Sequence, residues 1–255
     1  MSQPDSNRTG SENRRPTSNG IRDTFLSGDR AELFSERPQT FENFTYQRGS
    51  LVNPLVTSIY EDRNGILWIG SMGGLNRIDR RTGKNTVPAG SGIHNEILSI
   101  LEDRSGVLFA GTFHKGLQRL DPETGKVSAY VRSREPSNLD KNPIMRLMFD
   151  HEGTLWAATY GGVIRFDRAT GSFITYTAEK QNTIQYQEIK EDSNGMLWLG
   201  AQSGLHRFDP HTGRFTIYEH DLDDPRSLSD NRVNSVHFDR SGNMWVGTQN
   251  GFGQI

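Results

Sequence analysis

Three recurring patterns in this 255-residue sequence carry side chains capable of chemistry. The first is Asp-x-x-Gly, at Asp62–Gly65, Asp103–Gly106, Asp150–Gly153, Asp192–Gly195 and Asp239–Gly242. Such carboxylates suit calcium, but a calcium loop needs more oxygen ligands than this motif offers, so the reading is turn chemistry. The second is Arg-x-Asp, at Arg77–Asp79, Arg119–Asp121, Arg165–Asp167 and Arg207–Asp209. A cation beside a carboxylate can serve as a catalytic pair. One active site needs no copy per repeat, however, so recurrence argues for a structural hydrogen bond. The third set is the histidines, His94, His114, His151, His206, His211, His220 and His237, none spaced as His-x-x-x-His for a metal. His206 follows a strand leucine and His211 sits in a turn, so both are expected in solvent. With no cysteine, thiolate chemistry, disulfides and Cys-type zinc sites are excluded. No nucleophile elbow, phosphate-binding loop or dinucleotide fingerprint is present. The expectation is a chain with no catalytic residue, no metal and no cofactor.

The elements that hold these residues repeat. Each Asp-x-x-Gly is followed by an apolar residue and an aromatic: Leu67-Trp68, Leu108-Phe109, Leu155-Trp156, Leu197-Trp198, Met244-Trp245. The marker glycines lie 41, 47, 42 and 47 residues apart, a period of propeller blades or helical arrays. The segments are short, β-rich and bounded by glycine, which excludes helices. Each repeat resolves into four strands, a to d. Strand a carries Val56, Ile97, Ile144, Tyr186 or Val233 at its start and runs into the Asp-x-x-Gly turn. There Asn64-Gly65 and Asn194-Gly195 predict type I′ hairpins. Strand b holds the aromatic and ends near Gly70, Gly111, Ala158, Gly200 or Gly247; strand c ends in Arg-x-Asp; a Thr-Gly turn leads to strand d. In the first repeat Pro88 falls where strand d belongs, and Pro fits only an edge strand. The fold class is therefore all-β: a β-propeller of five four-stranded antiparallel blades, the last incomplete, at about 56–88, 97–130, 144–176, 186–218 and 233–255. Trp68, Phe109, Trp156, Trp198 and Trp245 are the expected anchors between blades.

The remainder of the chain bounds the function. Net charge is −2 with acids and bases interspersed, so no nucleic-acid partner is expected. No apolar run is long enough to span a bilayer, and Met1 to Gly20 lack the apolar core of a secretory signal. The chain is thus read as cytosolic or as a piece of something longer. Residues 1–40 read as a disordered tail, within which Asp29 and Glu32 cap a short helix through Phe34. Residues 41–46 carry the aromatic spacing of strand d and read as a closing strand for the last blade of a ring.

Antiparallel order puts the a–b and c–d turns at one end of each blade and the b–c and d–a connections at the other. The first kind is nearly identical in every repeat; the second varies. The longest d–a connections are Arg132–Asn142 and Glu219–Asn231. Variable loops on a rigid scaffold carry recognition. Phe113, His114, Tyr160, Gln202 and Gln249, at or beside the b–c tips, are therefore the candidate ligand-binding residues.

The stretch EDSNGMLWLGAQSGLHRFDPHTGRFTIY, Glu191 to Tyr218, resembles the two-component regulator propeller repeat, as does the lead-in Ser227 to Val236. The resemblance covers about residues 41–255 and implies the sensing region of a bacterial hybrid two-component system or related regulator. It implies a periplasmic setting, a small-molecule ligand with carbohydrate foremost, and a kinase or cyclase module as partner. It also implies a seven-bladed ring, of which these blades form an open arc or strained part. A protein-interaction scaffold and a streptogramin-lyase-like propeller enzyme are the alternatives.

Overall fold

The computed structural model describes residues 31–34, 41–45, 51–88, 96–122, 127–129, 143–167, 170–178 and 184–254. Every regular element among them is a β-strand. Blade 1 consists of strands a Val56–Glu61, b Ile66–Ser71, c Gly74–Asp79 and d Lys84–Thr86. Blade 2 has Ile97–Glu102, Leu108–Thr112, Leu117–Leu120 and Val127–Ala129. Blade 3 has Ile144–Phe149, Leu155–Thr159, Gly162–Asp167 and Ser172–Tyr176. Blade 4 has Tyr186–Glu191, Leu197–Ala201, Gly204–Asp209 and Arg214–Tyr218. Blade 5 has Val233–Phe238, Met244–Thr248 and Gly251–Gln254. Within each blade the strands pair antiparallel in sequence order, giving four four-stranded sheets and a fifth of three strands. Strand b, covered on both faces, is buried throughout in blades 1 to 4, which is why it reads as an unbroken apolar run. Strand d is the outer edge and alternates at best between half-buried and exposed.

The repeated motifs are turn chemistry. The Asp62 carboxylate accepts the N–H groups of Asn64 (2.9 Å) and Ile66 (3.0 Å) on one oxygen and the indole N–H of Trp68 (2.8 Å) on the other. The same indole bond forms from Trp156 to Asp150, Trp198 to Asp192 and Trp245 to Asp239. In blade 2, where Phe109 replaces the tryptophan, the Ser105 hydroxyl donates to Asp103 instead. These are not the two-residue type I′ hairpins expected at Asn64-Gly65 and Asn194-Gly195. Asp62 N–H bonds to Ile66 and Gly65 N–H to Asp62, closing a three-residue loop in which Gly65, at φ 74°, takes the left-handed position. Asp192 and Gly195 repeat the arrangement. The two members of Arg-x-Asp work separately. Asp79 and Asp209 accept backbone N–H groups of the c–d turn, while Arg77 and Arg207 lie 5.9 Å over the rings of Trp68 and Trp198.

The indole of Trp245 and then the amide of Asn243 hold the Asp239 carboxyl down to about 2. A carboxyl depressed on folding stabilises fully above its free value of about 3.9, and that contribution fades as pH falls through the folded value. Asp239→Asn is expected to be less stable than wild type at neutral pH. The gap should narrow between about pH 4 and about pH 2 in urea titrations.

Neighbouring blades touch through their a strands in order around an arc, and strand b of each blade packs on strand a of the next. The core is accordingly a series of junction clusters. Trp68 and Leu75 of blade 1 join Ile97, Ile100 and Leu108 of blade 2; Phe109 joins Ile144 and Leu155; Trp156 joins Tyr186, Leu197 and Phe208; Trp198 joins Val233, Val236 and Met244. Trp245 is only half-buried, and its neighbour Phe252 is 74% exposed.

The N-terminal segment differs from expectation. Ala31–Phe34, expected within a disordered tail and as a short helix, is a strand paired antiparallel with Phe41–Phe44. Phe41–Phe44 therefore does not close blade 5, and Phe44 packs beside Leu51 and Val56 of blade 1. A partner a few residues away costs less chain entropy than one across the arc. The remainder of the expected tail, residues 1–30 and 35–40, lies outside the described residues, as does the Arg132–Asn142 connection.

Candidate functional site

At the variable end, each b–c tip is tied to the residue just ahead of its own strand a. Backbone N–H groups of Met72, Phe113, Tyr160 and Gln249 donate to the carbonyls of Leu55, Glu96, Pro143 and Arg232. Side chains tie the pair in three blades, in addition to the backbone in blades 2 and 5. His114 Nε2 lies 3.5 Å from Glu96, Gln202 donates to Gln185 at 2.7 Å, and Arg232 donates to Gln249 at 3.1 Å. The result is a rim of paired residues that changes chemistry from blade to blade: Leu–Met, Glu–Phe, Pro–Tyr, Gln–Gln, Arg–Gln.

All five sequence-predicted residues lie on this rim. Phe113 and Tyr160 are half-buried, and His114, Gln202 and Gln249 are exposed. Phe113 and His114 meet edge to face at 4.7 Å. Gln185 brings two others together, since it bridges to Tyr160 of blade 3 and accepts from Gln202 of blade 4. Phe113 and Gln249 sit in other blades, each tied to its own partner. The connection Glu219–Asn231 holds its own shape at this end: His220 N–H donates to Asn231 and Asp221 N–H to Ser227. Sequence reading missed Glu96, Gln185 and Arg232. The Gln202–Gln185 and Gln249–Arg232 pairs share a separation of 17 residues, a spacing that identifies the partner once the tip is known.

One histidine contradicts expectation. His206 is fully buried, not solvated. Its Nδ1 lies 2.9 Å from the Tyr186 hydroxyl and its Nε2 3.4 Å from Ser203 Oγ. Burial lowers its pKa to about 4 and raises that of the Tyr186 phenol. Both groups are neutral at pH 7, so this pair supports packing and is a poor acid–base couple. His211 is exposed, as expected.

A second feature lies on the concave side. Strands a of blades 1 to 4 and the a–b turns of blades 2 and 3 enclose a cavity of about 640 Å³. Ser58 and Ser99 line it where Arg146 and Glu188 stand in blades 3 and 4. Arg146 Nε lies 3.8 Å from Glu188 Oε1, and Glu188 is 7% exposed. None of the five rim residues lines this cavity.

The described chain contains no helix long and apolar enough to cross a membrane. Among curated protein sequences none matches it. Its fold is shared with the extracellular domains of two B. thetaiotaomicron proteins assigned as hybrid two component systems. The first is 23% identical at TM-score 0.69, over 86% of this chain and 28% of that one. The second is 23% identical at 0.68, over 85% and 29%. Virginiamycin B lyase from Staphylococcus aureus matches at 13% identity and TM-score 0.62, over 89% of this chain and 77% of the lyase. At these identities the likeness carries the fold, and the chain spans less than a third of the length of the two extracellular domains. The family model for the two component regulator propeller matches residues 50–73 and 227–250, the lead-ins and a–b hairpins of blades 1 and 5. The chain is therefore a β-propeller that is similar, over those two segments, to the two component regulator propeller.

Proposed function

We propose that this chain is a non-catalytic sensing module of bacterial signal transduction. It binds a small polar molecule, with carbohydrate foremost, on the rim of the b–c tips and passes that event to a kinase or cyclase module. The observation that carries this reading is the contrast between the two ends of the blades. The Asp-x-x-Gly turns repeat the same backbone pair, and the same bond from the N–H four residues on to the aspartate, in every blade, whereas the rim pairs differ in every blade. Half-buried aromatics beside planar amides suit a hydroxylated ring, the rings covering its apolar face and the amides bonding its hydroxyls. In the same reading the module works outside the cytoplasmic membrane as an arc of a larger, seven-bladed ring. The half-exposed Trp245 and the exposed Phe252 support this, since the equivalent tryptophans are covered by the next blade.

Calorimetry against a panel of neutral and acidic oligosaccharides tests the reading. Tyr160→Ala and Phe113→Ala are expected to weaken binding roughly tenfold or more while leaving the urea midpoint nearly unchanged. Asp62→Asn, at the opposite end, is expected to leave affinity intact in a folded protein. The rim is the wrong site if the Asp62 change abolishes binding and the tip changes do nothing.

A further inference from the structure

Two blade junctions carry the same clasp at the a–b end, built from different side chains. Between blades 1 and 2, Glu102 accepts the Arg63 backbone N–H at 2.9 Å and the Arg63 Nε–H at 2.6 Å. Between blades 3 and 4, Glu191 accepts the His151 backbone N–H at 2.8 Å and meets His151 Nδ1 at 2.5 Å. Each glutamate precedes the Asp of its own turn, and each basic residue follows the Asp of the preceding blade. At the other two junctions Phe149 and Phe238 stand at the glutamate position. The glutamates are held firmly, with side chains 7% and 14% exposed. Arg63 is charged at every physiological pH; a histidine is not.

We propose that His151 makes the seam between blades 3 and 4 a proton-dependent clasp, tight when the imidazole is charged and looser when it is neutral. The seam borders the concave cavity: Asp150, Glu152 and Gly153 line it from one side, and Glu188, Ile189 and Lys190 from the other. Loosening the clasp therefore frees one wall of that cavity. The clasp needs no ligand and lies at the opposite end of the blades from the rim.

The groups facing His151 favour its charged form. Glu191 of blade 4 is bonded to it, Glu152 lies 4.0 Å from Nε2, and Asp150 adds a further negative charge. From blade 2, the Arg104 guanidinium bonds the His151 carbonyl at 3.2 Å and opposes them. The bond to Glu191, and then its charge, raise the His151 pKa. A histidine raised on folding contributes fully below its free value of about 6.5, and that contribution is lost as pH rises through the folded value. Neutral imidazole can still donate from Nδ1, so the clasp weakens without vanishing. Buried His206, with its lowered pKa of about 4, acts in the opposite sense at lower pH, so the two windows separate.

The test is amide hydrogen exchange at residues 63 and 151, corrected for intrinsic rates, from about pH 6 to about pH 8.5, together with an NMR titration of His151. In wild type the His151 amide is expected to lose protection severalfold across that range, while the Arg63 amide holds steady. His151→Arg should abolish the dependence. Arg63→His should create one at the junction of blades 1 and 2. The proposal is overturned if wild type and His151→Arg follow the same profile, or if Arg63→His adds no dependence. Should a variant fail to fold, the wild-type titration decides alone: a His151 midpoint at or below the ordinary value ends the proposal.

Discussion

Trp156→Ala is expected to destabilise the protein by about 3–5 kcal/mol, and Trp245→Ala by less than half of that. The two residues occupy the same place in the repeat, and both donate an indole N–H to their turn aspartate, at 2.7 and 2.9 Å. Losing that bond is common to both variants. The difference lies in what covers the ring. Trp156 is 1% exposed, meets Phe208 of the next blade edge to face at 5.8 Å and lies 6.0 Å from Tyr176 of its own blade. Its removal opens a cavity between two rigid sheets that cannot collapse toward one another without disturbing Tyr186 and Leu197. Trp245 is half-exposed, with Phe252 beside it at 6.2 Å. Water already reaches that face, so truncation removes less burial and leaves no closed void. For a domain of this size the Trp156 change should lower the melting temperature by roughly 10 °C. Because blades can unfold in stages, the comparison is best made by urea titration of both variants against wild type. Equal losses would mean that the turn bond, not the junction, carries the energy.

What was legible in the sequence follows from the range of the interactions. The phrase Asp-x-x-Gly-x-Leu-Trp joins a carboxylate to an indole six residues on, inside one hairpin, so every copy restates the same geometry. The c–d turn is equally local, with Asp209 bonding His211 and Thr212. The antiparallel blades and their sequence-order pairing could be read from such signals. His206 was not legible, because its solvent exposure is decided by Tyr186, 20 residues away, and by the neighbouring strands. At its place in strand c blade 1 has Asn76 and blade 2 has Gln118, both also buried. A polar residue at that position is therefore a buried one in this repeat, not a solvated one. Arg146 and Glu188 were visible as departures from serine in the repeat, but their proximity exists only once two a strands lie side by side. Ala31–Phe34 is not legible because a short polar-flanked segment looks unable to fold alone, and its partner Phe41–Phe44 carries the aromatic spacing of a strand d.

The glycine one residue before the end of strand b has a stricter role than a turn, and its substitution gives the other large effect expected here. A Cβ built on Gly111 falls 2.6 Å from Cγ2 and 3.0 Å from the carbonyl oxygen of Ile144, in the first strand of the next blade. On Gly70 it falls 2.7 Å from Cγ2 of Ile97, and on Gly200 3.1 Å from Cγ1 of Val233. In each case the nearest atoms of the next blade include a methyl branching from Cβ. Blade 3 has Ala158 at this position, fully buried, and there the next blade offers Tyr186, whose Cβ bears one carbon. The residue pairs thus match in size across the junction: glycine against a β-branched side chain, alanine against an unbranched one. Gly111→Ala is expected to cost about 1–3 kcal/mol, and Gly111→Val more, since neither blade can retreat. Gly247→Ala should cost much less, because its nearest obstacle is the hydroxyl of Ser235, which can rotate away. Ile144→Leu removes the offending branch while keeping the volume, so in a double-mutant cycle with Gly111→Ala it should recover part of the loss. The Ile144 carbonyl stays in place, which keeps the recovery partial. Additive costs in that cycle would show that the branch is not the obstacle and that the backbone contact alone demands glycine.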